Sequence, residues 1–470
     1  MAQRLVLGID IGTTSVSVVA IDAGQLVAST TVAHSANIAG LPQGYAEQSS
    51  ELLWQAVLQA VRQVVRQVVD AVAAADIVAI GMTGQMHSTL LLDAAGQPCS
   101  NVITWQDQRA VVHQGEAGSL LDSLLARIPS DDMHATGCRL AAGYMGTTLF
   151  AMWALGQLPP EFASVTFVSD WIAARLCQQA PVTDRSHAAS AGVYDLIADD
   201  WNSRLLTAAE IDPKWLPEVR SSGAVIGELS ASMAEVTGLS AGTQVCNAIG
   251  DNQAAVLSAL PNEDGVLLIN IGTGGQIVWR TPTFQRVAGM DTRYLPSVSG
   301  QQNSEFMLVG AGLCGGDAFA WINRTIRQWL QAFGVEQTED MVWQQLTQQI
   351  SDVGDDMPPI HCEPFFAGTR PNPQRRAVFT NVGSTNFTPA NVARSILQGI
   401  AETMFGVYES ATCRPKPLTR IVMSGNAARQ NSLLVKLVAD RFGVPTSVSA
   451  CHEEAATGAA LLAAAAISGA

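Results

Sequence analysis

One sequence pattern occurs twice in the chain, once near its start and once past its middle. Residues 5–10 form an apolar run that leads into a Gly-Thr turn at residues 12–15, and a second apolar run follows at residues 16–21. The same order recurs at residues 266–270, 272–275 and 276–279. Two apolar runs joined by a short glycine turn predict a β-hairpin. Its distant repetition predicts two halves of related fold, each contributing one hairpin to a shared cleft.

The length of the chain fits two such halves. Its 470 residues exceed what one ordinary hydrophobic core holds, so we expect two domains, residues 1–246 and 247–470, divided near Cys246. Between the hairpins, residues 51–75 have the apolar spacing of an amphipathic helix, and residues 77–82 have the composition of a strand. Alternating helices and strands predict an α/β fold in both halves.

The composition argues against several classes of partner and location. A formal net charge of −15 repels phosphate backbones and anionic lipids, so neither nucleic acid nor a membrane is expected as a partner. The three lysines, Lys214, Lys416 and Lys436, follow no glycine-rich loop, which excludes a Walker A motif. Eight cysteines without a close pair, and first residues that predict a strand rather than a secretory signal, indicate a cytoplasmic protein. Scattered apolar residues are compatible with a homodimer.

Both Gly-Thr turns contain the groups that bind phosphate without lysine. Successive backbone N–H groups in a tight glycine turn, aided by threonine hydroxyls, form an anion site. The candidate contacts to ATP in these turns are Gly12, Thr13, Thr14, Gly272, Thr273 and Gly274. Asp10 precedes the first turn and is suited to hold Mg²⁺, whereas Asn270 precedes the second, which predicts a single active site. One turn alone would indicate an ordinary hairpin, but two turns, with an aspartate beside one of them, favour phosphate binding.

Two segments that follow the first hairpin combine polar and apolar side chains as a sugar site does. Gln85, Met86 and His87 follow the end of a predicted strand, where side chains project into a cleft. Trp105 and Asp107 add an aromatic platform and a carboxylate within a few residues. A structural histidine at position 87, and a solvated turn with a salt bridge around Asp107, are the alternatives.

A third segment carries the candidate catalytic base, Asp251. It follows a strand and Gly250, which allows close approach of a substrate, and it precedes a helix of small residues. The same position suits an aspartate that only caps a helix, and the segment favours the two roles equally. Further along the chain, a glycine turn after a strand makes Gly425 and Asn426 candidate contacts to adenosine, and Gly316 is a second candidate near the same nucleotide.

Taken in order, these segments resemble the FGGY carbohydrate kinase family over nearly the whole chain. The segments that carry the resemblance are residues 10–15, 84–87, 105–109, 250–255, 272–275, 368–370, 424–431 and 454–464. The resemblance implies two ribonuclease H-like domains of the actin-like ATPase type on either side of a central cleft, with ATP as co-substrate and Mg²⁺ as cofactor. It also implies Asp251 as the general base, and Asp10 with Asp251 as the metal contacts. The implied sugar contacts are Gln85, Met86, His87, Trp105, Asp107, Asp251 and Asn252.

The same resemblance ranks the expected substrates. Residues 102–109 and 313–317 are similar to relatives that phosphorylate sedoheptulose, so phosphate transfer to its terminal primary hydroxyl is expected, with xylulose or another sugar or polyol as the alternative. An actin-like or chaperone-like ATPase without a sugar substrate is the alternative from another class. Gln85, His87 and Trp105 argue against that ATPase because a nucleotide switch needs no such pocket.

Overall fold

The structure of the chain is a computed structural model. It describes residues 3–72, 75–112, 114–115, 118–260, 263–298, 305–354, 357–369, 372 and 374–468. Arg370, in the family-like segment 368–370, lies outside the described residues. Within them, no helix combines the length and the apolar character needed to cross a membrane.

The first half contains seventeen short and long strands and nine helices within the described residues. The strands are β1 (Gln3–Ile11), β2 (Ser15–Asp22), β3 (Gln25–Ala33), β4 (Glu47–Gln48), β5 (Ala75–Gly84), β6 (Leu90–Asp93), β7 (Val102–Ile103), β8 (Gln114–Gly115), β9 (Gly118–Ser119), β10 (Phe162–Thr166), β11 (Val182–Asp184), β12 (Tyr194–Asp195), β13 (Asp200–Trp201), β14 (Glu218–Arg220), β15 (Val225–Glu228), β16 (Gln244–Cys246) and β17 (Ile249–Gly250). The helices are α1 (Ser50–Ala71), α2 (Arg109–Val112), α3 (Leu120–Arg127), α4 (Ser130–Ala135), α5 (Met145–Ala154), α6 (Val168–Cys177), α7 (Arg185–Ser190), α8 (Ser203–Ala208) and α9 (Ala231–Thr237), with a 3₁₀ turn at Pro213–Trp215.

The second half has fewer and longer elements. Its strands are β18 (Val266–Ile271), β19 (Gly274–Thr281), β20 (Asp291–Leu295), β21 (Glu305–Cys314), β22 (His361–Glu363), β23 (Val378–Thr380), β24 (Arg420–Ser424) and β25 (Thr446–Val448). Its helices are α10 (Asp251–Ala259), α11 (Gly316–Ala332), α12 (Glu339–Ser351), α13 (Pro389–Ser410), α14 (Asn426–Gln430), α15 (Ser432–Phe442) and α16 (Glu454–Ser468).

The two main sheets confirm the predicted repeat. The first has the order β15-β16-β5-β1-β2-β3, with β17 also paired to β5, and the second has the order β20-β21-β19-β18-β24-β25. In both sheets, three consecutive antiparallel strands are followed by two parallel ones, so β1, β2, β3, β5 and β16 correspond to β18, β19, β21, β24 and β25. The predicted α/β class and both predicted hairpins are therefore present.

The register of the two sheets makes Asp10 and Asn270 structural equivalents. Asp10 lies opposite Thr83 at the end of β5, and Asn270 lies opposite Ser424 at the end of β24. Thr83 and Ser424 are each followed by a glycine, Gly84 and Gly425. Since carboxyl ends of parallel strands meet at one edge of a sheet, each half places its hairpin turn and a glycine turn side by side.

The amphipathic pattern of residues 51–75 is realised as helix α1. Ser49 caps it, because its hydroxyl accepts the N–H of Leu52 at 3.3 Å. The apolar face, which includes Trp54 and Val57, is buried against the first sheet. In the second half, α13 covers the equivalent sheet in the same way.

Helices α16 and α10 form the layer between the two sheets. Although α16 comes last, it packs on β1, β2 and β5 of the first sheet, while α10 packs on the second sheet and on α16. A Cβ atom at Gly8 or Gly81 would stand 1.9 or 2.1 Å from a carbonyl oxygen of α16, and one at Gly458 would stand 1.8 Å from Ala254 O. These contacts bring backbone against backbone and leave no room for a side chain. The predicted domain boundary near Cys246 stays a prediction.

This packing predicts opposite effects for two glycine-to-alanine changes in long helices. Gly458→Ala should lower the free energy of unfolding by about 1–3 kcal/mol, because α10 and α16 must move apart. Gly406→Ala is the control: that glycine is exposed on α13, and its Cβ would meet no described atom within 4 Å. Helix propensity should make this variant up to about 1 kcal/mol more stable. Urea unfolding of both variants tests the prediction, and equal stabilities would contradict it.

Candidate active site

The first Gly-Thr turn is fastened to the predicted sugar segments. Thr13 Oγ1 accepts a hydrogen bond from Trp105 Nε1 at 3.1 Å and donates one to Gln85 Oε1 at 3.5 Å. Gln48 Nε2 donates to Thr13 O at 2.6 Å, and Gln85 Nε2 donates to Gln48 Oε1 at 2.8 Å. Gln85 is buried under the turn, whereas Trp105 is 48% exposed and offers a ring face to the cleft. The predicted phosphate turn and the predicted sugar segments are thus joined by hydrogen bonds.

Asp10, at the end of β1, carries an unsatisfied carboxyl oxygen. The residue as a whole is half-buried, but its Oδ1 is fully buried and has no hydrogen-bond partner among the described residues. Burial, together with the carboxylates of Asp251 and Glu453, raises the pKa of Asp10 to about 8. Burial is the largest of these causes. Because Asp251 raises the pKa of Asp10, these two predicted metal contacts lie near each other.

An orphaned carboxyl oxygen in an acidic setting fits a cation. Among the described residues, no group of three or more histidine, cysteine, aspartate or glutamate side chains has a metal-binding arrangement. Mg²⁺ is commonly held by one or two carboxylates together with water and substrate phosphates, which is the arrangement that Asp10 and Asp251 can offer. Glu453, which accepts a hydrogen bond from Thr31 Oγ1 at 2.9 Å, is a further acidic neighbour that sequence reasoning missed.

The acceptor pocket begins where β5 ends. His87 has a left-handed backbone, with φ of 67°, and its Nδ1 donates to Ser190 O at 2.6 Å. Its ring stacks on Tyr144 with centroids 4.0 Å apart. Met86 is buried beside Gly250, whose missing side chain leaves room for its thioether: a Cβ there would stand 3.0 Å from Met86 Sδ. A hydrogen bond at Nδ1 fixes the tautomer of His87 and leaves Nε2 as an acceptor.

Asp107 is placed differently from the other predicted sugar contacts. Its Oδ1 accepts from the N–H and the Nε of Arg109, at 2.9 and 2.8 Å. Its Oδ2 accepts from Arg109 Nη2 at 3.0 Å and from the N–H of Ala46 at 2.9 Å. Arg109 also contacts Glu47 at 2.6 Å, and the whole group is almost fully buried. The carboxylate therefore has no acceptor position left for a sugar hydroxyl, which argues against the predicted sugar contact of Asp107.

Asp251 is the first residue of α10 and directly follows Gly250, the last residue of β17. Its Oδ1 accepts the N–H of Asn252 at 2.7 Å, so it does satisfy one free amide of the helix. Burial raises the pKa of Asp251, while that N–H and the positive charges of His187 and Arg293 act to lower it. The net shift is upward, which brings the carboxylate closer to the basicity that proton transfer needs.

A buried polar network supports Asp251 from the first half. The N–H of Gly250 donates to Ser186 Oγ at 2.8 Å, and Ser186 Oγ donates to Asp184 at 2.7 Å. His187 is fully buried, 3.3 Å from Asp170 and 3.8 Å from Asp184. Burial acts to lower the pKa of His187, but the carboxylates of Asp170, Asp184 and Asp251 outweigh it and raise the pKa. These carboxylates thus favour the protonated form of His187 near the candidate base.

Three glycine turns of the second half meet at the predicted nucleotide site. The N–H of Gly316 donates to Gly272 O at 2.8 Å, and the N–H of Asp317 donates to Thr273 O at 3.0 Å. A Cβ at Gly316 would stand 2.6 Å from Gly272 O, and one at Gly425, whose φ is 86°, would stand 2.5 Å from Ile271 O. Asn426 begins α14 beside Gly425. The second phosphate turn, Gly316 and the turn at Gly425 are therefore brought together.

The second phosphate turn also reaches the acceptor side. Gln276, two residues after Gly274, accepts a hydrogen bond from Asn252 Nδ2 at 2.8 Å. Asn252 in turn lies beside Arg293, whose Nη1 is 3.5 Å from Asn252 Oδ1. Tyr144, Gln276 and Arg293 were not predicted from the sequence. Tyr144 and Arg293 belong to no motif recognised in the sequence, and only the tertiary fold places them here. Gln276 directly follows the second Gly-Thr turn, and that position was the signal that could have found it.

The comparisons with known proteins agree with this arrangement of two similar halves around one cleft. Residues 5–258 match the N-terminal domain, and residues 267–467 the C-terminal domain, of the FGGY family of carbohydrate kinases. The chain belongs to this family and is a carbohydrate kinase. It is 28% identical to the sedoheptulokinase of Mus musculus, over 98% of both chains. It is likewise 28% identical to a glycerol kinase of Trichlorobacter lovleyi, over 99% of this chain and 90% of that one. The structure of a xylulose kinase from Rhodospirillum rubrum superposes with a TM-score of 0.84 at 22% identity, covering 99% and 90% of the two chains.

The raised pKa of Asp10 predicts how stability depends on pH. A carboxyl whose pKa is about 8 in the folded state and 3.8 in the unfolded state stabilises the fold at low pH. That contribution is lost as the pH rises from about 4 through 8. In metal-free buffer, Asp10→Asn should therefore unfold at a higher temperature than the wild type at pH 9, and the difference should shrink as the pH falls and disappear below about pH 3.8, where the carboxyl is protonated in both states.

Asp76→Asn is the control for this measurement, because Asp76 is exposed on the neighbouring strand β5. Its melting temperature should follow that of the wild type at each pH. Thermal unfolding by circular dichroism gives all three curves. A gap between wild type and Asp10→Asn that stays constant with pH would contradict the assignment.

Proposed function

We propose that this carbohydrate kinase transfers the terminal phosphate of ATP to the terminal primary hydroxyl of a ketose, sedoheptulose ahead of xylulose. The observation that carries the proposal is the position of Asp251. It begins α10 between Gly250, which lies against Met86, and Asn252, whose amide donates to Gln276 just after the second phosphate turn. A carboxylate there can accept a proton from a hydroxyl while the transferred phosphate is held between the halves.

Binding of ATP falls to groups from both halves. Gly12, Thr13 and Thr14 offer N–H and hydroxyl donors from the first half, and Gly272, Thr273 and Gly274 offer the equivalent groups from the second. Gly316, Gly425 and Asn426 leave bare backbone for the adenosine. Closure of the two halves brings both sets of donors onto the phosphates and expels water that would otherwise hydrolyse ATP.

Asp10 and Asp251 would hold Mg²⁺. The buried Oδ1 of Asp10, which lacks a partner among the described residues, supports this role. When bound, the ion neutralises charge on the phosphate groups. Asp10 must lose its proton before it can act as a ligand, and its pKa of about 8 means that alkaline conditions favour this.

Asp251 acts on the acceptor hydroxyl. A sugar alcohol is far less acidic than any carboxylic acid, so the proton moves to Asp251 late, as the new bond to phosphorus forms. The charges of His187 and Arg293 favour the ionised carboxylate before transfer, and burial raises its proton affinity. Met86, His87, Trp105 and Asn252 line the pocket that orients the ketose.

The ranking of substrates rests on the resemblance around residues 102–109 and on the full-length similarity to a sedoheptulokinase. Sedoheptulose should have a higher kcat/KM than xylulose, by about 10- to 100-fold, because its two extra hydroxylated carbons increase binding only where the pocket hydrogen-bonds them. Glycerol should be a poor acceptor. ADP release from purified protein with Mg²⁺, ATP and a panel of ketoses, aldoses and polyols measures this. Preference for xylulose would move the assignment to that sugar, and ATP turnover indifferent to every sugar would favour a nucleotide-driven ATPase.

The role of Asp251 is tested by replacing it with a residue of the same shape. Asp251→Asn should lower kcat by about two orders of magnitude or more, because asparagine cannot accept the proton. The melting temperature should stay near that of the wild type, since asparagine serves a helix N-terminus equally well. Asp340→Asn, in the exposed first turn of α12, is the matched control and should leave both quantities unchanged. Near-normal turnover by Asp251→Asn would leave Asp251 as a structural residue.

The homodimer and the cytoplasmic location stay predictions.

A further inference from the structure

Strand β20 has no counterpart among the described strands of the first sheet. It lies on the edge beyond β21, whereas β3, the equivalent of β21, is itself an edge strand. The strand reaches across to the first half, where the N–H of Thr292 donates to Gly137 O at 2.7 Å. Nearby, the guanidinium of Arg185 lies 5.3 Å from the ring centroid of Tyr294. The second half thus carries one added strand that forms part of the wall of the acceptor pocket.

Arg293 extends from this strand into the pocket. Only 13% of its side chain is exposed, and its Nη2 donates to Asp291 Oδ2 at 3.1 Å. Its Nη1 lies 3.5 Å from Asn252 Oδ1 and 3.8 Å from Met86 Sδ. The first distance is at the limit of a hydrogen bond, and a thioether is a weak acceptor. A nearly buried cation therefore directs one NH₂ group between two candidate acceptor contacts, one from each half.

The contact with Asn252 also brings this group near the candidate base. Asn252 directly follows Asp251 in the chain, and its Oδ1 lies 3.5 Å from Arg293 Nη1. A guanidinium has five N–H groups and no acceptor, so the group that it recognises must supply an oxygen lone pair. A sugar hydroxyl close to the reacting one has such an oxygen.

We propose that Arg293 is a specificity-determining residue whose Nη1 donates a hydrogen bond to an acceptor hydroxyl near the one that is phosphorylated. This inference rests on the proposed sugar kinase activity. It gives the added strand β20 a function: the strand supplies a donor to the acceptor that neither Gly-Thr hairpin can supply. It also predicts that discrimination between related polyols depends on the second half as well as on the segments after β5.

Steady-state kinetics of Arg293→Met provide the first test, because methionine keeps much of the length of the side chain and removes every donor. The KM for the best acceptor of the wild type should rise about 10- to 100-fold, the effect of losing a hydrogen bond from a charged donor. The KM for ATP should stay within about twofold of the wild-type value. Arg293→Lys, which keeps a charge but not the planar fork, should fall between the two enzymes. An equal rise in both KM values would overturn the proposal.

Monodeoxy analogues of that acceptor, each lacking one hydroxyl, test whether Arg293 binds a sugar hydroxyl or only holds Asn252 in place. Against the wild type, the analogue that lacks the contacted hydroxyl should lose about 10- to 100-fold in kcat/KM. Against Arg293→Met, that same analogue should lose less than about threefold, while the other analogues behave alike with both enzymes. If every analogue loses the same factor with both enzymes, Arg293 only braces Asn252 and the proposal fails.

Two controls keep these outcomes distinct. Arg420→Met removes an exposed ion pair with Glu263 and should leave the deoxy pattern unchanged. Asp291→Asn removes the partner of Arg293 but keeps the guanidinium, so the one analogue should still be singled out. A wild-type enzyme that phosphorylates no member of the panel would overturn the proposed function together with this inference. If the wild type is active but each analogue loses the same factor with the wild type and with Arg293→Met, the inference alone is overturned.

Discussion

The close approach of α16 to the first sheet is the contact on which the rest of the structure depends. It requires glycine at positions 8 and 81, and the contact of α16 with α10 requires glycine at position 458, since any Cβ there would overlap a backbone carbonyl. Because α16 lies on one sheet and α10 on the other, this contact fixes how the two hairpins face each other. Asp251, at the start of α10, is near enough to Asp10, at the end of β1, to raise its pKa.

The charges of the site follow from the same arrangement. Two strand ends and the start of α16 bring Asp10, Asp251 and Glu453 together, and a cluster of carboxylates at one place raises the cost of ionisation. His187 and Arg293 offset part of that cost beside Asp251, but they do not satisfy the orphaned oxygen of Asp10. A bound cation would therefore favour ionisation of these carboxyls at the position where a metal-bound nucleotide is proposed to bind.

Local patterns predicted more of this molecule than long-range ones could. Both hairpins, helix α1 and the equivalence of the two halves follow from short stretches of sequence whose hydrogen bonds close within a few residues. Asp107 illustrates the limit: its neighbourhood looked like a sugar site, yet the fold pairs its carboxylate with Arg109, the salt bridge that sequence reasoning held as the alternative. Arg293 and Tyr144 carry no local signal, because each enters the pocket from an element that reaches it only through tertiary packing. The assignment of individual site residues stays a prediction.

The position of α16 has a consequence for how the chain folds as it is synthesised. The sheet of the first half has an apolar face, including Val6, Val19 and Ala79, that is covered by Ala456, Ala460 and Ala463. Those alanines are translated more than 200 residues after the strand β16 that completes the sheet. Throughout that interval the nascent first half exposes an uncovered sheet face, which is the kind of surface that aggregates or recruits chaperones. The hydrophobic core of the first half therefore stays incomplete during synthesis until residues 454–468 have emerged from the ribosome.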